Sequence, residues 1–193
     1  MAQLQTGNVL ADTFAATIDL DASSLDTALL ILRLALGPML FAHGYQKLFM
    51  GGRIDGTAGW FESMGMKPGK VNAWAAALTE TSTGVLMTLG LLTPFAAAGM
   101  VGVMVVAWFT HRGNFFVFKD GWEYNYVIGA VAIAAGTLGA GRWSLDHAFG
   151  IWDSLSGWTG FGIAAGLGII AGLGTIGMFY RPDSPSGSEA GSA

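Results

Sequence analysis

Apolar residues along this chain fall into five long stretches that are separated by short, more polar connections. A bilayer core of ~30 Å requires about 20 apolar residues in a helix, so the pattern predicts an all-α protein with five membrane-spanning helices. Thr93-Pro94 separates the second stretch from the third and predicts a tight helical hairpin. The predicted helices cover residues 27–49, 71–92, 95–110, 124–140 and 161–180.

The composition supports a bilayer protein. Hydrophobic residues make up 52% of the 193 residues and charged residues 11%, whereas a soluble domain has about 25% charged residues. The absence of cysteine excludes disulfides, thiol redox pairs and cysteine-held iron–sulfur clusters. The net charge of −4 argues against nucleic acid as a partner, because phosphate binding requires a basic face.

The fifth stretch is rich in glycine, which permits close contact between helix backbones. The pairs Gly162/Gly166 and Gly168/Gly172 have the four-residue spacing of such contacts. We expect this helix to pack closely within the bundle. A homo-oligomer formed through residues 161–180 is the other arrangement that this spacing allows.

Lysine and arginine are unevenly distributed between the predicted connections, which indicates the orientation of the chain. Only Arg142 lies in the connections of one side. Because the more basic side normally faces the cytoplasm, we expect a multi-pass protein of the bacterial plasma membrane with its N-terminus outside and its C-terminus cytoplasmic. The basic residues of the cytoplasmic side are Lys47, Arg53, Lys67, Lys70, Arg112, Lys119 and Arg181.

Two predicted helices carry ionisable residues within their apolar runs. Arg33, His43 and Lys47 share one face of the first helix, and Glu80 lies near the middle of the second. An ionisable group at mid-membrane costs roughly 2.5–3.5 kcal/mol, so each should face the bundle interior and have a partner. We expect Glu80 either to pair with Arg33 or to be protonated.

The connection from His111 to Asn125 is unusually aromatic. Its polar residues should lie at the cytoplasmic mouth, level with His43 and Lys47, and they are His111, Asn114, Glu123 and Asn125. The aromatic residues could instead form an interfacial belt, and the polar ones a network that holds the helices together. Both arrangements could exist at once.

Hydrogen-bond donors beside aromatic walls suit a flat ring that bears carbonyl oxygens, and the candidate ligand is a quinone. Glu80, His43 and His111 are the candidates for catalytic proton transfer. The residues expected to bind the cofactor are Arg33, Lys47, Asn114, Glu123 and Asn125. Axial ligation of haem b by His43 and His111 is an alternative, although two histidines alone do not specify a haem site, and no metal site is assigned.

The segment after the fourth helix is expected to be mainly structural. Ser144 could cap a short interfacial helix with Asp146 and His147 in its first turn. Arg142 could pair with Asp146, but an exposed ion pair contributes only about 0–1 kcal/mol.

Several motifs follow one another in a specific order. They are Arg33-Leu-Ala-Leu-Gly37, Phe41-Ala-His-Gly-Tyr-Gln-Lys47, Glu80-Thr-Ser-Thr-Gly84, Leu89-Gly-Leu-Leu-Thr-Pro94, Asn114-Phe-Phe, Gly121-Trp-Glu-Tyr-Asn125 and Gly141-Arg-Trp-Ser-Leu-Asp146. Together they resemble the DoxX family of small bacterial membrane proteins over roughly residues 25–147.

The resemblance implies an inner-membrane four-helix bundle linked to redox chemistry. Members include the small membrane subunit of thiosulfate:quinone oxidoreductase, and mycobacterial members are associated with oxidative-stress enzymes. It implies an oxidoreductase component with a quinone acceptor, partnered by a soluble redox protein on the cytoplasmic side. The polar positions that match the family motifs are Arg33, His43, Lys47, Glu80, His111, Asn114, Glu123, Asn125 and Asp146.

We therefore expect a DoxX-like four-helix domain at residues 26–148 with a further helix after it. Residues 1–25 would form an acidic extension, 149–181 a linker and glycine-rich fifth helix, and 182–193 a disordered tail. The competing function is a non-catalytic membrane anchor for soluble oxidative-stress enzymes. A transporter is suggested only by the buried charges, since no duplicated, interrupted helices are visible.

Overall fold

The structure, a computed structural model, describes residues 22–111 and 113–182 and is all-α over these ranges. The acidic extension lies outside the described residues except for its last four, and the predicted tail lies outside them except for Pro182. The helices are α1 (Ala22–Phe49), α2 (Arg53–Ser63), α3 (Gly69–Leu89), α4 (Thr93–Thr110), α5 (Glu123–Leu138), α6 (Leu145–Ala148), α7 (Trp152–Leu155) and α8 (Gly157–Phe179). Within α8, Gly162–Leu167 is π-helical.

The five long helices begin and end close to the predicted residues, because glycine and proline mark their ends. Gly90 ends α3 in the left-handed conformation at φ +63°. Pro94 occupies the first turn of α4, where its missing N–H leaves no helix hydrogen bond unmade. The predicted hairpin between α3 and α4 is confirmed.

Three described helices, α1, α4 and α8, are long and apolar enough to cross a membrane by length and composition. The other two predicted spans do not qualify. In α3 the apolar run is interrupted by polar residues, including the buried Asn72 and Glu80. The 16 residues of α5 extend only about 24 Å. Both nevertheless lie side by side with the apolar helices, α3 along α1 and α5 along α4.

Glycine brings α1 and α3 into backbone contact. A Cβ added at Gly84 would lie 2.7 Å from the carbonyl oxygen of Gly37 and 2.8 Å from the Cα of Phe41. Gly44 lies equally close to the backbone of Ala77 and Thr81. This close approach is the packing mode in which small residues replace side-chain interdigitation between membrane helices.

The glycine pairs of α8 have different environments. Gly168 and Gly172 lie against α4, where an added Cβ would be 2.7 Å from Ala98 O and 2.9 Å from Gly102 O respectively. Gly162 and Gly166 face open space. Close packing is therefore confirmed for the second pair and wrong for the first, because six residues separate Gly162 from Gly168 and place the pairs on different helix faces.

The long helices run from one end of the bundle to the other. We call the end that carries α2, the start of α3 and the 113–122 loop the α2 end, and the end that carries α6 and α7 the α6 end. The last turn of α8 lies at the α2 end, where Lys67 N donates to Phe179 O at 2.9 Å and Arg181 N donates to Gly65 O at 2.6 Å. The two termini of residues 22–182 thus lie at opposite ends.

Substituting Gly84 with alanine should destabilise the bundle, because the added methyl group meets the backbone of α1. We expect Gly84→Ala to lower the free energy of unfolding by about 1–3 kcal/mol, measured by thermal or denaturant unfolding in detergent. Gly166→Ala is the matched control, since its methyl group enters open space and alanine favours a helix. Equal stability of the two variants would contradict this packing.

Candidate functional site

A cavity of about 480 Å³ lies between α3, α4 and α8, and α2 covers it at the α2 end. Its surface is mainly apolar. The polar side chains that line it are Lys47, Asn72, Thr79, Glu80, Thr110, His111 and Thr175. Three of the eight residues predicted for the site, Lys47, Glu80 and His111, are therefore brought together around one space.

The charged centre of the cavity is an ion pair between Lys47 and Glu80. The Nζ of Lys47 lies 2.6 Å from Oε2 of Glu80 and 3.4 Å from the carbonyl oxygen of His43. Only 16% of the lysine side chain and 7% of the glutamate side chain are exposed. Burial makes the pairing necessary, because either charge alone would face an apolar environment.

The predicted pairing of Glu80 with Arg33 is wrong, and the register of α1 against α3 explains why. The contact of Gly44 with Ala77 and Thr81 places Glu80 within reach of Lys47, one turn further along α1. Arg33 lies 14 residues before Lys47, a distance of about 21 Å along the helix. The carboxylate therefore pairs with the cation near the α2 end.

His111 follows the last turn of α4 and lines the α2 end of the cavity. Its Nδ1 lies 2.8 Å from Ala107 O. A carbonyl oxygen can only accept a hydrogen bond, so Nδ1 carries the proton and Nε2 remains available to a ligand. The Trp60 ring lies beside the imidazole, with 6.1 Å between the ring centres. The site thus combines a flat aromatic surface with an adjacent hydrogen-bonding nitrogen.

Sequence reasoning missed α2, which forms a wall of the cavity. Trp60 and Phe61 contribute side chains there, together with Met64 and Met66 beyond its end. The helix is held to α3 by Glu62, whose Oε1 accepts from the N–H of Gly69 at 3.0 Å. The spacing of Ile54, Ala58 and Phe61 is a helical signal that could have identified this element, although charged residues and glycines surround it.

Four predicted site residues near the α2 end do not line the cavity. His43 and Asn114 are exposed, and Glu123 and Asn125 are half-buried in the first turn of α5. The loop folds onto itself, with Trp122 N donating to Asn114 O and Glu123 N donating to Phe115 O. It joins α4 to α5, which packs on a different side of α4 from the cavity. His43 precedes the helix-contacting Gly44 and therefore lies off the α3-facing side of α1.

Arg33 lies at the α6 end, where it connects helix ends. Its side chain is buried, and it donates from Nη1 to Thr88 O at 3.2 Å and from Nη2 to Trp143 O at 2.6 Å. Both acceptors are backbone carbonyls of chain segments near the turns. Arg33 therefore ties the last turn of α3 to the segment before α6 and does not contact the cavity.

Asp146 caps the start of α4 from the neighbouring α6. Its carboxylate accepts from Leu92 N at 2.6 Å, from Thr93 N at 3.0 Å and from Thr93 Oγ1 at 2.7 Å. Ser144 caps α6 itself, as predicted, by accepting from His147 N at 3.2 Å. These contacts are structural.

The predicted pairing of Arg142 with Asp146 is wrong. Arg142 instead pairs through Nε with Asp26, whose Oδ1 also accepts from the backbone N–H of Arg142 at 2.8 Å. Asp146 is instead buried against the start of α4, where its carboxylate accepts from the N–H groups of Leu92 and Thr93. The α6 end thus contains two separate carboxylate contacts.

The family model described as DoxX matches residues 28–113. Over this segment, a little under half of its length, the chain is similar to the DoxX family. No match is found among curated proteins or solved structures. The matched segment contains α1 from residue 28 onwards, α2, α3 and α4, and it includes Lys47, Glu80 and His111. It ends before α5 and α8, so the predicted domain limits of 26–148 stay a prediction.

Within residues 22–111 and 113–182, no group of three or more histidine, aspartate or glutamate residues is arranged to hold a metal ion. The groups that the cavity offers are one ammonium, one carboxylate, one imidazole, an amide and three hydroxyls. Such a set can donate and accept hydrogen bonds and can move protons.

The effects of substituting Lys47 and Glu80 on the free energy of unfolding should not be additive, because each single substitution leaves the other charge buried without its partner. Glu80→Ala should lower the free energy of unfolding by about 3 kcal/mol, because it leaves a buried ammonium unpaired. Lys47→Ala combined with Glu80→Ala should cost less than the sum of the single substitutions, measured by unfolding in detergent.

The control for this experiment is a second double-mutant cycle, which combines Arg33→Ala with Glu80→Ala. Arg33 contacts the last turn of α3, whereas Glu80 lies near the middle of that helix and pairs with Lys47, so their effects should be additive. Coupling between Arg33 and Glu80, or additivity between Lys47 and Glu80, would argue against the observed pairing.

Proposed function

We propose that this protein binds a quinone head group in its cavity and serves as the quinone-interacting component of a membrane redox system. The observation that carries this proposal is the Lys47–Glu80 ion pair, which lies in an otherwise mainly apolar chamber with His111 towards one end. Ligand sites are typically apolar with a few convergent polar groups, and intramembrane ionisable residues are functional sites by default.

The direction of the side chains brings the polar groups towards one another. Gly99 of α4 lies beside Thr79 and Thr83, which places Glu80 about 18 Å from His111 along α4. Side chains lean towards the N-terminus of their own helix. Glu80 therefore leans towards the α2 end and His111 leans away from it, since α3 and α4 are antiparallel. The proposed ring would lie between the two groups, beside Trp60.

The groups that line the cavity differ in how they can bind a ligand. The ammonium of Lys47 can donate to a carbonyl oxygen while it remains beside Glu80, because it has three donors. Nε2 of His111 accepts a hydrogen bond when the ring is neutral and donates one when the ring is protonated. The flat face of Trp60 can stack on a second ring. These groups are complementary to a flat molecule with oxygen atoms on opposite sides.

Quinone reduction consumes both electrons and protons, and the protein's residues can supply only the protons. Glu80 and His111 are titratable groups that line the cavity, and Lys47 can pass a proton to Glu80 across 2.6 Å. Electrons would come from a soluble partner at the α2 end, which places the proposed oxidoreductase activity in a complex rather than in this chain alone.

The proposal predicts that cavity residues control quinone affinity. A quinone that bears no isoprenoid chain should bind the purified protein, and His111→Ala or Glu80→Gln should weaken binding about tenfold. The first substitution removes the protonated imidazole that donates to a ring oxygen, and the second removes the carboxylate that holds the donating ammonium of Lys47 in place. Dissociation constants measured by titration calorimetry in detergent check this. His147→Ala and Asn114→Ala are matched controls outside the cavity and should bind as the wild type does.

Each variant should first be shown to retain its helical circular dichroism. Absence of binding by the folded wild-type protein would reject the quinone site and favour the anchor, a non-catalytic protein that holds oxidative-stress enzymes at the α2 end. Equal weakening by the two control substitutions would place the ligand outside the cavity.

We also propose that the α2 end faces the cytoplasm of a bacterial plasma membrane, with the N-terminus outside. The distribution of charge supports this orientation, because Arg142 is the sole lysine or arginine of the described α6-end segments apart from the buried Arg33. The described basic residues at the α2 end are Lys47, Arg53, Lys67, Lys70, Lys119 and Arg181.

The absence of cysteine allows this orientation to be tested directly. In intact cells a membrane-impermeant thiol reagent should label Asp153→Cys, in the exposed α7, and should leave Asp120→Cys unlabelled until the cells are lysed. The two variants differ only in the end of the bundle that carries the thiol. The reverse labelling pattern would invert the proposed orientation.

A further inference from the structure

The cavity opens sideways between α3 and α8. Several of the residues that line it are also exposed on the outer surface, and these rim residues are Ala75, Phe95, Leu167 and Ala171. The floor of the opening is α4, whose Gly99, Gly102 and Val103 line the cavity. Contacts of Gly168 and Gly172 hold α8 on α4. We call this gap the lateral opening.

The lateral opening lies within the span of the apolar helices. Ala171 is eight residues from the end of α8, or about 12 Å along the helix, and α8 is long and apolar enough to cross a membrane. Val103 of α4 lies seven residues before Thr110, about 10 Å from the helix end. The opening therefore faces hydrocarbon rather than water.

The polar and apolar parts of the cavity are arranged along one direction. His111, Trp60 and Asn72 lie towards the α2 end, and Lys47 and Glu80 lie further in. Beyond them, towards Phe95 and Leu167, the described lining residues are apolar. A molecule that fits this order has an oxygen-bearing head at the α2 end and an apolar chain at the lateral opening.

We propose that the ligand is a lipid-dissolved quinone whose isoprenoid-type chain leaves the cavity through the lateral opening, which is also its route of entry. This inference rests on the proposed quinone site and adds the class of quinone and the path it takes. Small residues on both rims, Ala75 and Ala171, leave room for a slender chain between the helices. The chain then continues into the bilayer, where it needs no protein contact.

The test blocks the opening and leaves the head-group site intact. Ala171→Trp fills the rim of α8, and Ile170→Trp is its matched control, because Ile170 is 70% exposed and does not line the cavity. Two probes are titrated into protein in lipid nanodiscs, one quinone ring without a chain and the same ring with an isoprenoid chain. Dissociation constants are expressed relative to the wild type, so that partitioning of the chain into lipid cancels.

Ala171→Trp should weaken binding of the chain-bearing quinone about tenfold, which corresponds to losing about two buried methylene groups, and should change binding of the bare ring less than twofold. Ile170→Trp should change neither. Further along α8, beside the apolar part of the lining, Leu167→Trp should repeat the effect, with the exposed Ile169→Trp as its control.

The outcomes separate the two proposals. If the bare ring binds and Ala171→Trp affects both probes equally or neither, the lateral path is wrong while the quinone site stands. If neither probe binds the wild-type protein, the quinone site itself is wrong. Selective loss of the chain-bearing probe in both rim variants supports the path.

Discussion

The backbone contact between α1 and α3 determines where the buried charges of this protein lie. Gly37, Gly44 and Gly84 let the two helices touch, and the register of that contact places Lys47 beside Glu80. Any side chain at these positions would separate the helices and leave an ammonium and a carboxylate in apolar surroundings without each other, which is costly. The chemistry of the cavity thus depends on residues that have no side chain.

The two ends of the bundle satisfy polar groups in different ways. At the α6 end, Arg33 and Asp146 bond mainly to backbone atoms of the turns. Unpaired backbone groups are especially unfavourable near lipid, so these contacts allow the chain to reverse direction within the membrane layer. Towards the α2 end, the buried ion pair joins two side chains and leaves donors that a ligand can use. The polar groups at the α6 end therefore stabilise the fold, whereas those towards the α2 end include hydrogen-bond donors that a ligand can use.

The sequence predicted the long helices well, because apolar runs, Gly90 and Pro94 are local signals. Lys47 and Glu80 line the cavity, as expected of ionisable residues that interrupt an apolar run and must face the interior. Prediction from the sequence failed where the answer depends on contacts between helices. The partner of Glu80 requires the register set by Gly44, and the role of α2 requires knowing that Trp60 meets His111. Asn114 is exposed because α5 packs on a different side of α4 from the cavity. His43 is exposed because another face of α1 contacts α3.

Helix α8 lies after the segment that matches the family, yet it supplies one wall of the cavity. Without α8, the small residues of α4 that line the cavity would form an exposed surface on one side of the other helices. Its addition turns a shallow depression into a slot whose width is set by the glycine contacts of α8. Residues 28–113 thus provide the charged groups and the imidazole of the cavity, whereas α8, which lies outside the matched segment, determines the size and shape of the space beside them.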